Sequence, residues 1–249
     1  MKEITIHNSR GGTLAGTLYE KNPEKIVILC HGFRMDRHEG GRLDIAAKSL
    51  DDAGFSVFQL DFSGSGLSSD DSLTVEKEVD DLQCVLRHFK SSGYKKIGLL
   101  GVSLGGLVSL RCAGLGISTM VLWAPVSNSK SREKELSRYT EEQLKELQDT
   151  GKITVIREGA VREKVVVDGQ MVEDRANVNQ EKLAQGIVFP VLFIHGDQDE
   201  RVPLDDSKRI VELSDGEAEL YIPKGEGHVF KEKLGEIVER TTSWFVKYL

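Results

Sequence analysis

The sequence predicts an α/β protein in which a mostly parallel sheet is covered by helices on both faces. Short apolar runs alternate along the chain with segments whose apolar residues recur every three or four positions. Runs such as Lys25–Cys30 are apolar almost throughout, as in a parallel strand buried on both faces. The length of 249 residues suits one domain of this class. We therefore predict eight strands in one sheet, the first two antiparallel.

The individual elements follow from these patterns. Two alternating segments, Glu3–Asn8 and Leu14–Tyr19, are joined at Arg10–Gly12 and predict the antiparallel pair. The six further strand candidates are the runs Lys25–Cys30, Ser56–Leu60, Ile97–Val102, Thr119–Trp123, Val191–Ile194 and Ala218–Ile222. Helical periodicity fills most of the gaps, and in Leu73–Ser91 it forms one continuous apolar face.

One segment, residues 127–186, breaks the alternation because it is strongly charged. It follows the sixth predicted strand, so we predict a core domain of residues 1–126 and 187–249 with residues 127–186 as a cap over the carboxyl ends of the strands. A solvated excursion without a role is the alternative, although long insertions in compact domains are usually functional.

Within this segment the sequence predicts a helix, two short strands and a turn. Glu–Lys pairing favours the helix over Lys134–Gln148. The strands are predicted at Ile153–Ile156 and Val165–Val167, and Asp168–Gly169 is typical of a hairpin turn.

Composition excludes several classes of protein. The net charge of -7 argues against a nucleic-acid surface, and the longest apolar runs have the length of strands, so no membrane span is predicted. The first residues already alternate like a strand, so we expect no signal peptide. Three cysteines without metal-binding spacing predict buried free thiols, no metal site and a cytoplasmic protein. We expect no cofactor, and the sequence permits a homodimer.

Ser103 lies in the pattern G-x-S-x-G, at Gly101–Gly105, between a predicted strand and a predicted helix. Strand, glycine-rich turn and helix together are the context of a nucleophilic serine, whose hydroxyl the sharp turn holds clear of the sheet. A packing turn or a phosphate loop is the alternative for the motif alone. We predict Ser103 as the nucleophile.

A serine nucleophile needs a base, and only His195 and His228 follow it in the sequence. His228 lies behind a glycine-rich segment directly after the last predicted strand, where a loop can reach back over the sheet edge. His195 precedes the best acid candidates, whereas in this arrangement the histidine comes last. We predict His228 as the base.

Two aspartates after the seventh predicted strand compete as the acid that orients the histidine. Asp197 is nearer the strand end, where an aspartate often binds its own backbone in a turn. Asp199 lies farther along the loop. Spacing alone leaves both open.

The segment His31–Phe33, after the third predicted strand, supplies a candidate oxyanion hole. Gly32 permits a turn that directs the Phe33 amide into the site, where the Leu104 amide would be the second donor. A Cys30–His31 thiol pair is disfavoured because adjacent strand residues point to opposite faces.

Together these motifs resemble the α/β-hydrolase superfamily, and within it monoacylglycerol-lipase-like esterases, cinnamoyl (feruloyl) esterases and proline-iminopeptidase-like peptidases. The resemblance is carried by His31–Phe33, Asp61–Ser68, Gly101–Gly105 and His195–Pro203, followed by His228. It covers nearly the whole chain outside the cap.

The resemblance implies the α/β-hydrolase fold and places the acid at Asp199, within the family pattern G-x-x-D-x-x-V-P. This chain departs from the family at Ser63 and Ser65, where relatives commonly carry Arg or Asn, and His. That loop supports the site without performing chemistry, so the departure affects the subfamily more than the activity. Ser103 at the elbow disfavours the dehalogenase relatives that use an aspartate.

The predicted function is hydrolysis of small acyl or hydroxycinnamoyl-type esters through an acyl-enzyme. The compact cap resembles that of cinnamoyl esterases, and its single aromatic residue is Tyr139. Candidate substrate-binding residues are His31, Gly32 and Tyr139.

Three alternatives remain on the same scaffold. A peptidase would need carboxylates to hold a free amine, and the candidates are Glu158, Glu163, Glu173 and Asp174. The others are an acyl thioesterase and a binding module without catalytic activity.

Overall fold

The computed structural model describes residues 1–249 and contains eleven strands and nine α-helices. The strands are β1 (Lys2–His7), β2 (Thr13–Tyr19), β3 (Lys25–Cys30), β4 (Ser56–Leu60), β5 (Ser72–Leu73), β6 (Lys96–Val102), β7 (Thr119–Trp123), β8 (Lys152–Ile156), β9 (Lys164–Asp168), β10 (Val191–Ile194) and β11 (Ala218–Tyr221). The helices are α1 (Arg42–Asp52), α2 (Val75–Ser91), α3 (Leu104–Arg111), α4 (Arg132–Leu136), α5 (Glu141–Thr150), α6 (Gln170–Ala176), α7 (Gln180–Gln185), α8 (Leu204–Leu213) and α9 (Leu234–Tyr248).

Eight strands form the main sheet in the order β1-β2-β4-β3-β6-β7-β10-β11. Strand β2 is antiparallel to both β1 and β4, and all other neighbours are parallel. The predicted fold class is confirmed. Because β3, β6, β7 and β10 are parallel neighbours, the loops after them converge at one edge of the sheet.

Helices bury the apolar side chains of both sheet faces. On one face α1 and α9 pack over a cluster that includes Trp123 and Phe245, both fully buried. On the other face α2, α3 and α8 cover a larger cluster that includes Phe58 and Phe193. The strands therefore lie between two apolar layers, which is why their sequences read as unbroken apolar runs.

The helix predicted over Lys134–Gln148 is wrong in its bounds, because the structure has two helices there, α4 and α5. The Thr140 side chain accepts a hydrogen bond from the backbone amide of Gln143, and the Gln143 side chain accepts one from the Thr140 amide. This reciprocal pair caps the start of α5, so a helix boundary falls inside the charged stretch.

The hairpin turn predicted at Asp168–Gly169 is also wrong. Asp168 ends β9, and its carboxylate accepts a hydrogen bond of 3.0 Å from the amide of Gln170, the first residue of α6. The pair therefore begins a helix, a role that short polar residues fill as readily as turns. Strands β8 and β9 do form an antiparallel hairpin, but residues 157–163 connect them.

The charged segment 127–186 contains α4 to α7 and the hairpin, and a second small sheet joins it to the rest of the chain. This sheet has the order β5-β9-β8, with β5 parallel to β9. Arg162 also donates a hydrogen bond of 3.2 Å to the carbonyl of Gly66. The segment is thus tied to the loop that precedes α2. None of the helices combines the length and apolar character that a membrane crossing requires.

Candidate active site

Ser103 occupies the turn between β6 and α3 in a strained conformation, with φ 52° and ψ -112°. Its amide donates to Trp123 (2.9 Å), and its carbonyl accepts from Val126 (2.9 Å), so the loop after β7 holds the turn on both sides. At Gly105 an added Cβ would lie 2.4 Å from the Cys30 carbonyl oxygen. The close approach of α3 to β3 therefore requires glycine, and it lifts the Ser103 hydroxyl above the sheet edge.

The structure brings Ser103, His228 and Asp199 into one chain of hydrogen bonds. Ser103 Oγ lies 3.1 Å from His228 Nε2, and His228 Nδ1 lies 2.7 Å from Asp199 Oδ2. The side chain of Asp199 is fully buried, and that of His228 is 10% exposed. These distances suit proton transfer from the serine to an imidazole that a carboxylate orients.

Asp199 is held ionised by its surroundings. Burial raises the pKa of this carboxyl, but hydrogen bonds from His195 and His228 outweigh it and hold the pKa well below its ordinary value. The second oxygen, Oδ1, accepts from the amides of Arg201 (2.8 Å) and Val202 (3.0 Å). The carboxylate is therefore fixed in position and in charge.

Asp197, the competing candidate, lies away from His228. Its exposed carboxylate accepts a hydrogen bond of 2.6 Å from the amide of Gly225. It thus links the loop after β10 to the loop that carries His228, and it does not contact the imidazole.

His195, which the sequence did not assign to the site, contacts the same oxygen of Asp199 as His228 does. Its buried ring places Nε2 3.2 Å from Asp199 Oδ2, while Nδ1 lies 2.7 Å from the Ser207 hydroxyl. Nε2 also lies 3.1 Å from the Val202 carbonyl oxygen. With the proton on Nε2, His195 therefore donates to this carbonyl and to the carboxylate, and Nδ1 accepts from Ser207. In the sequence, the feature that indicates this contact is the spacing of four residues between His195 and Asp199.

The predicted oxyanion donors come from two loops, one after β3 and one at the turn that carries Ser103. The Phe33 amide takes part in no backbone hydrogen bond, and Leu104 begins α3, where helix geometry leaves the amide without an intrahelical acceptor. The neighbouring amide, of Gly32, is already used, since it donates to Glu39 Oε2 at 2.6 Å. Phe33 and Leu104 are therefore the available pair.

His31 is buried, and both its ring nitrogens are engaged. Nδ1 lies 2.9 Å from the Gly32 carbonyl oxygen, and Nε2 accepts a hydrogen bond of 3.2 Å from the amide of Phe62. The ring also packs edge-to-face on Phe62. His31 does not line the cavity at Ser103, whereas Gly32 does. The imidazole instead ties the turn at Gly32 to the loop after β4.

The loop after β4, Asp61–Ser68, is stabilised by a buried ion pair between Asp61 and Arg37. Asp61 accepts hydrogen bonds from the backbone amide (2.7 Å) and Nε (2.9 Å) of Arg37. Ser63, one of the departures from the family pattern, accepts from Arg10 at 3.1 Å and from Asn8 at 3.0 Å. Residues of the β1–β2 connection thus contact this serine directly.

A cavity of about 510 Å³ opens beside Ser103 and His228. Gly32 and Phe33 line it from the core, and the hairpin strand β8 and helix α6 line it from the segment 127–186. Tyr139 does not line the cavity. It is 7% exposed, and its buried hydroxyl has no hydrogen-bond partner.

The three cysteines are buried free thiols, as predicted. Burial raises the pKa of Cys112 to about 12, and it raises the pKa of Cys30 still further. A thiol held protonated is a poor nucleophile, and the His31 ring makes its contacts elsewhere. No group of three or more His, Cys, Asp or Glu side chains is arranged to hold a metal ion.

The sheet order and the covering helices define the protein as an α/β hydrolase. Residues 21–179 match the family described as serine aminopeptidase, S33, and the chain belongs to that family. It is also similar to the human protein ABHD12B, with 27% identity over 205 residues that make up 79% of this chain and 51% of that protein. The chain thus spans about half the length of this relative.

Solved structures share the fold over nearly the whole chain. Est1E from Butyrivibrio proteoclasticus, determined with bound ferulic acid, has a TM-score of 0.79 and 21% identity, and the match covers 98% of both chains. The esterase Pf2001 of Pyrococcus furiosus has a TM-score of 0.76 and 20% identity, with 99% of this chain and 92% of that one covered. Likeness at these identities establishes the fold.

Proposed function

We propose that the protein is a carboxylic ester hydrolase that forms an acyl-enzyme on Ser103, with His228 as base and Asp199 as orienting acid. The observation that carries this proposal is the continuous hydrogen-bond chain from the buried Asp199 through His228 to Ser103, which ends at a cavity. The proposed substrates are small acyl or hydroxycinnamoyl-type esters.

In the first half of the proposed reaction, neutral His228 accepts the Ser103 proton at Nε2 while Oγ attacks the ester carbonyl carbon. Asp199 accepts a hydrogen bond from Nδ1 of the imidazole and stabilises the imidazolium that forms. The amides of Phe33 and Leu104 donate to the developing oxyanion. The intermediate then collapses, the C–O bond to the alcohol breaks, and the alkoxide leaves with the proton from His228.

In the second half, water replaces the alcohol. His228 accepts a proton from the water, whose oxygen attacks the acyl carbon and forms a second oxyanion between Phe33 and Leu104. Breakage of the bond between Ser103 Oγ and the acyl carbon releases the carboxylic acid. The proton returns from His228 to Ser103, so the enzyme is regenerated.

The substrate proposal has two supports. A cavity of about 510 Å³ is of the size that holds a small ester. The neighbour Est1E has been determined with ferulic acid, which favours a hydroxycinnamoyl acyl group. Phe33 is the one aromatic side chain that lines the cavity, so an acyl ring would have this contact available.

We also propose that residues 127–186 act as a cap that shapes this cavity. Val155, Ile156 and Arg157 at the end of β8, together with Arg138 and Arg175, line it from that segment. Tyr139 then serves in the packing of the cap instead of binding the substrate, because its side chain lies within the apolar core.

The geometry favours an esterase over an aminopeptidase. Glu158, Glu163, Glu173 and Asp174, the carboxylates proposed for a free amine, all lie outside the lining of the cavity. Glu173 pairs with Arg132, and Asp174 accepts from the Val75 amide at 3.0 Å. The single carboxylate in the lining, Glu39, is engaged by its own neighbours. A cationic amine would therefore meet no free partner.

The proposal is tested by labelling and kinetics on Ser103→Ala. We expect a fluorophosphonate to label the unmodified protein and not the variant, and kcat for p-nitrophenyl butyrate to fall by roughly 10⁴-fold or more. Ser92→Ala, at an exposed helix end, is the matched control and should behave as the unmodified protein. Ester hydrolysis retained by a folded Ser103→Ala protein would refute the proposal, and faster cleavage of aminoacyl anilides than of esters would favour the peptidase.

A further inference from the structure

The cavity beside Ser103 is strongly basic in a chain whose net charge is -7. Its lining contains one carboxylate, Glu39, and six arginines. The arginines are Arg34, Arg42, Arg138, Arg157, Arg175 and Arg201. Such a concentration of one charge in a concave site is expected to attract ions of the opposite sign.

Only two of these arginines have carboxylate partners. Arg42 lies 2.7 Å from Glu39, and Arg138 lies 2.7 Å from Glu135. The other four form no salt bridge within the chain, namely Arg34, Arg157, Arg175 and Arg201. Paired arginines maintain structure, whereas unpaired ones that converge on a cavity leave their charge available to a ligand.

Arg175, on α6, carries the argument because it is both buried and unpartnered. The residue is 7% exposed, and its Nε has no hydrogen-bond acceptor. Burial lowers the pKa of its guanidinium, and the attraction of Glu135 and Asp206 does not restore it. Glu135 is itself held by Arg138. A desolvated cation without a partner destabilises the fold, so such a group calls for an explanation beyond packing.

Arg201 is set close to the reacting groups by the chain itself. Its amide donates to Asp199 Oδ1, and its side chain lines the cavity together with Ser103 and His228. A second cavity of about 250 Å³ shares Arg175 and Arg201 with the first. Lys130 and Lys134 also line it, and Asp206 is its one carboxylate. The basic surface therefore continues from Ser103 into the space between α8 and the cap.

Arg34 extends the same surface to the predicted oxyanion donor. Its guanidinium lies 5.0 Å from the centre of the Phe33 ring, and that of Arg138 lies 5.4 Å from it. Both cations thus lie beside the residue whose amide is the proposed oxyanion donor. Guanidinium groups on an aromatic ring keep a defined position while their N–H groups remain free to bind oxygen atoms.

We infer that the ester hydrolysed at this site carries an anionic oxygen group, a carboxylate or a phosphate, which Arg175 and Arg201 bind. This inference rests on the proposed ester hydrolysis at Ser103 and narrows its substrate class. The guanidinium fork matches both anions through two parallel hydrogen bonds.

The test compares each anionic ester with a neutral partner of similar skeleton. The first pair has the anion on the acyl side and consists of p-nitrophenyl hydrogen adipate and its neutral partner p-nitrophenyl methyl adipate. The second comparison has the anion on the alcohol side. 4-Butyryloxyphenyl phosphate carries a phosphate there and 4-butyryloxybenzoate carries a carboxylate, and phenyl butyrate is the neutral partner of both. We expect at least one anionic member to exceed its neutral partner about tenfold or more in kcat/KM, mainly through KM. The anionic ester that shows the higher kcat/KM identifies the anion and shows whether it lies on the acyl side or the alcohol side.

Two variants assign the preference to these arginines. Arg175→Met and Arg201→Gln should each reduce the ratio of anionic to neutral kcat/KM towards one, because the anionic ester loses more than its neutral partner does. Arg175→Met should also keep or raise the Tm, because it removes a buried charge without a partner. Arg209→Gln, on the exposed side of α8, is the matched control and should leave the ratio unchanged.

The outcomes separate this inference from the proposed function. Labelling of Ser103 and ready hydrolysis of neutral esters, with no preference for any anionic member, would overturn the anion site alone. An unchanged ratio of anionic to neutral kcat/KM in both arginine variants would also overturn the anion site alone. No labelling and no hydrolysis of any ester would refute the proposed function itself. If Arg175→Met fails to fold, the exposed Arg201 still tests the assignment.

Discussion

At the scale of the residue, the candidate site depends on a carboxylate whose charge is secured from several directions. One oxygen of the Asp199 carboxylate contacts the rings of His228 and His195, and the other accepts hydrogen bonds from two backbone amides. A carboxylate with so many donors resists protonation, and its geometry is set before substrate binds. The adjacent loop residue Asp197 has none of these contacts, although sequence position makes the two nearly equivalent.

This difference leads to a prediction for the two aspartates. Asp199→Asn should lower kcat by roughly 10⁴-fold, since an amide cannot hold the imidazole in the required tautomer. Asp197→Asn should change kcat only a few-fold, because its carboxylate serves the Gly225 amide. Steady-state kinetics on both purified variants, with circular dichroism to verify folding, make the comparison. A larger loss in Asp197→Asn would exchange the two roles.

His195 is expected to position Asp199 without touching the substrate. In His195→Leu, which has no donor, kcat should fall by up to about 100-fold, whereas His195→Gln, which keeps one, should lose less. The hydrogen bond from His195 lowers the pKa of Asp199, so its loss raises that pKa. A larger share of Asp199 is then protonated in acid.

The measurement for His195 is the pH profile of kcat/KM. In His195→Leu the decline on the acid side should begin at a higher pH than in the unmodified protein, and His195→Gln should lie between them. A uniform loss of activity with no movement of the acid limb would show a purely structural effect.

At the scale of the element, the position of Ser103 depends on how closely α3 approaches β3. Gly105 makes this approach possible, since a Cβ there would lie 2.4 Å from the Cys30 carbonyl oxygen and 2.5 Å from that of His31. The same two residues lead into the turn at Gly32 and Phe33. Packing between this helix and this strand therefore aligns Ser103, the proposed nucleophile, with the proposed oxyanion donors.

Gly105→Ala should consequently reduce both stability and activity. We expect a loss of about 1–3 kcal/mol in the free energy of unfolding, because backbone atoms must move to admit the methyl group. Denaturant unfolding measures this loss, and kcat should fall with it as the elbow shifts. Gly114→Ala is the matched control, since nothing lies within 4 Å of its added Cβ. Equal stability of the two variants would contradict the packing argument.

At the scale of the whole molecule, charge is distributed unevenly. An acidic chain surrounds a cavity lined by arginines, while a buried acid, Glu78, lies inside the larger core. Burial raises the pKa of Glu78 well above its ordinary value, and the nearby Asp81 raises it further. Glu78 is close enough to influence the Cys30 thiol electrostatically, and burial keeps that thiol protonated. The folded protein therefore holds a proton on Glu78 that the unfolded chain releases.

This linkage makes the protein less stable as pH rises. Above the ordinary glutamate pKa of about 4.3, the unfolded chain binds fewer protons than the folded one, so the free energy of unfolding falls with pH until Glu78 ionises in the fold. Glu78→Gln removes the effect. We expect its Tm at pH 8 to exceed that of the unmodified protein by at least about 2–4 °C, the shift that about 1 kcal/mol gives in a domain of this size.

The matched control for Glu78 is the same comparison at about pH 4, where the glutamate is mostly protonated in both states and the difference between the two Tm values should nearly vanish. Thermal unfolding followed by circular dichroism at both pH values makes the measurement. A Tm difference that is the same at pH 4 and pH 8 would assign the change to packing instead of ionisation.

The sequence by itself determined what local physics controls. Strand and helix periodicity predicted the eight strands of the main sheet, because burial on two faces imposes apolar runs whatever the remaining contacts are. The glycines around Ser103 predicted the elbow, since only they permit its backbone approach. By contrast, the boundary at Thr140 and the helix start at Asp168 were missed, because the side chains that cap helices also suit turns and helix surfaces.

Only the tertiary structure decided which distant groups meet. It chose between Asp197 and Asp199 at His228, a choice that family resemblance anticipated and spacing left open. It also brought together Arg34, Arg175 and Arg201, which in the sequence are scattered charges that suit any exposed surface. Burial and pairing are properties of the packed molecule. An arginine can therefore be identified as unpaired only in the folded structure, where the positions of all carboxylates are known.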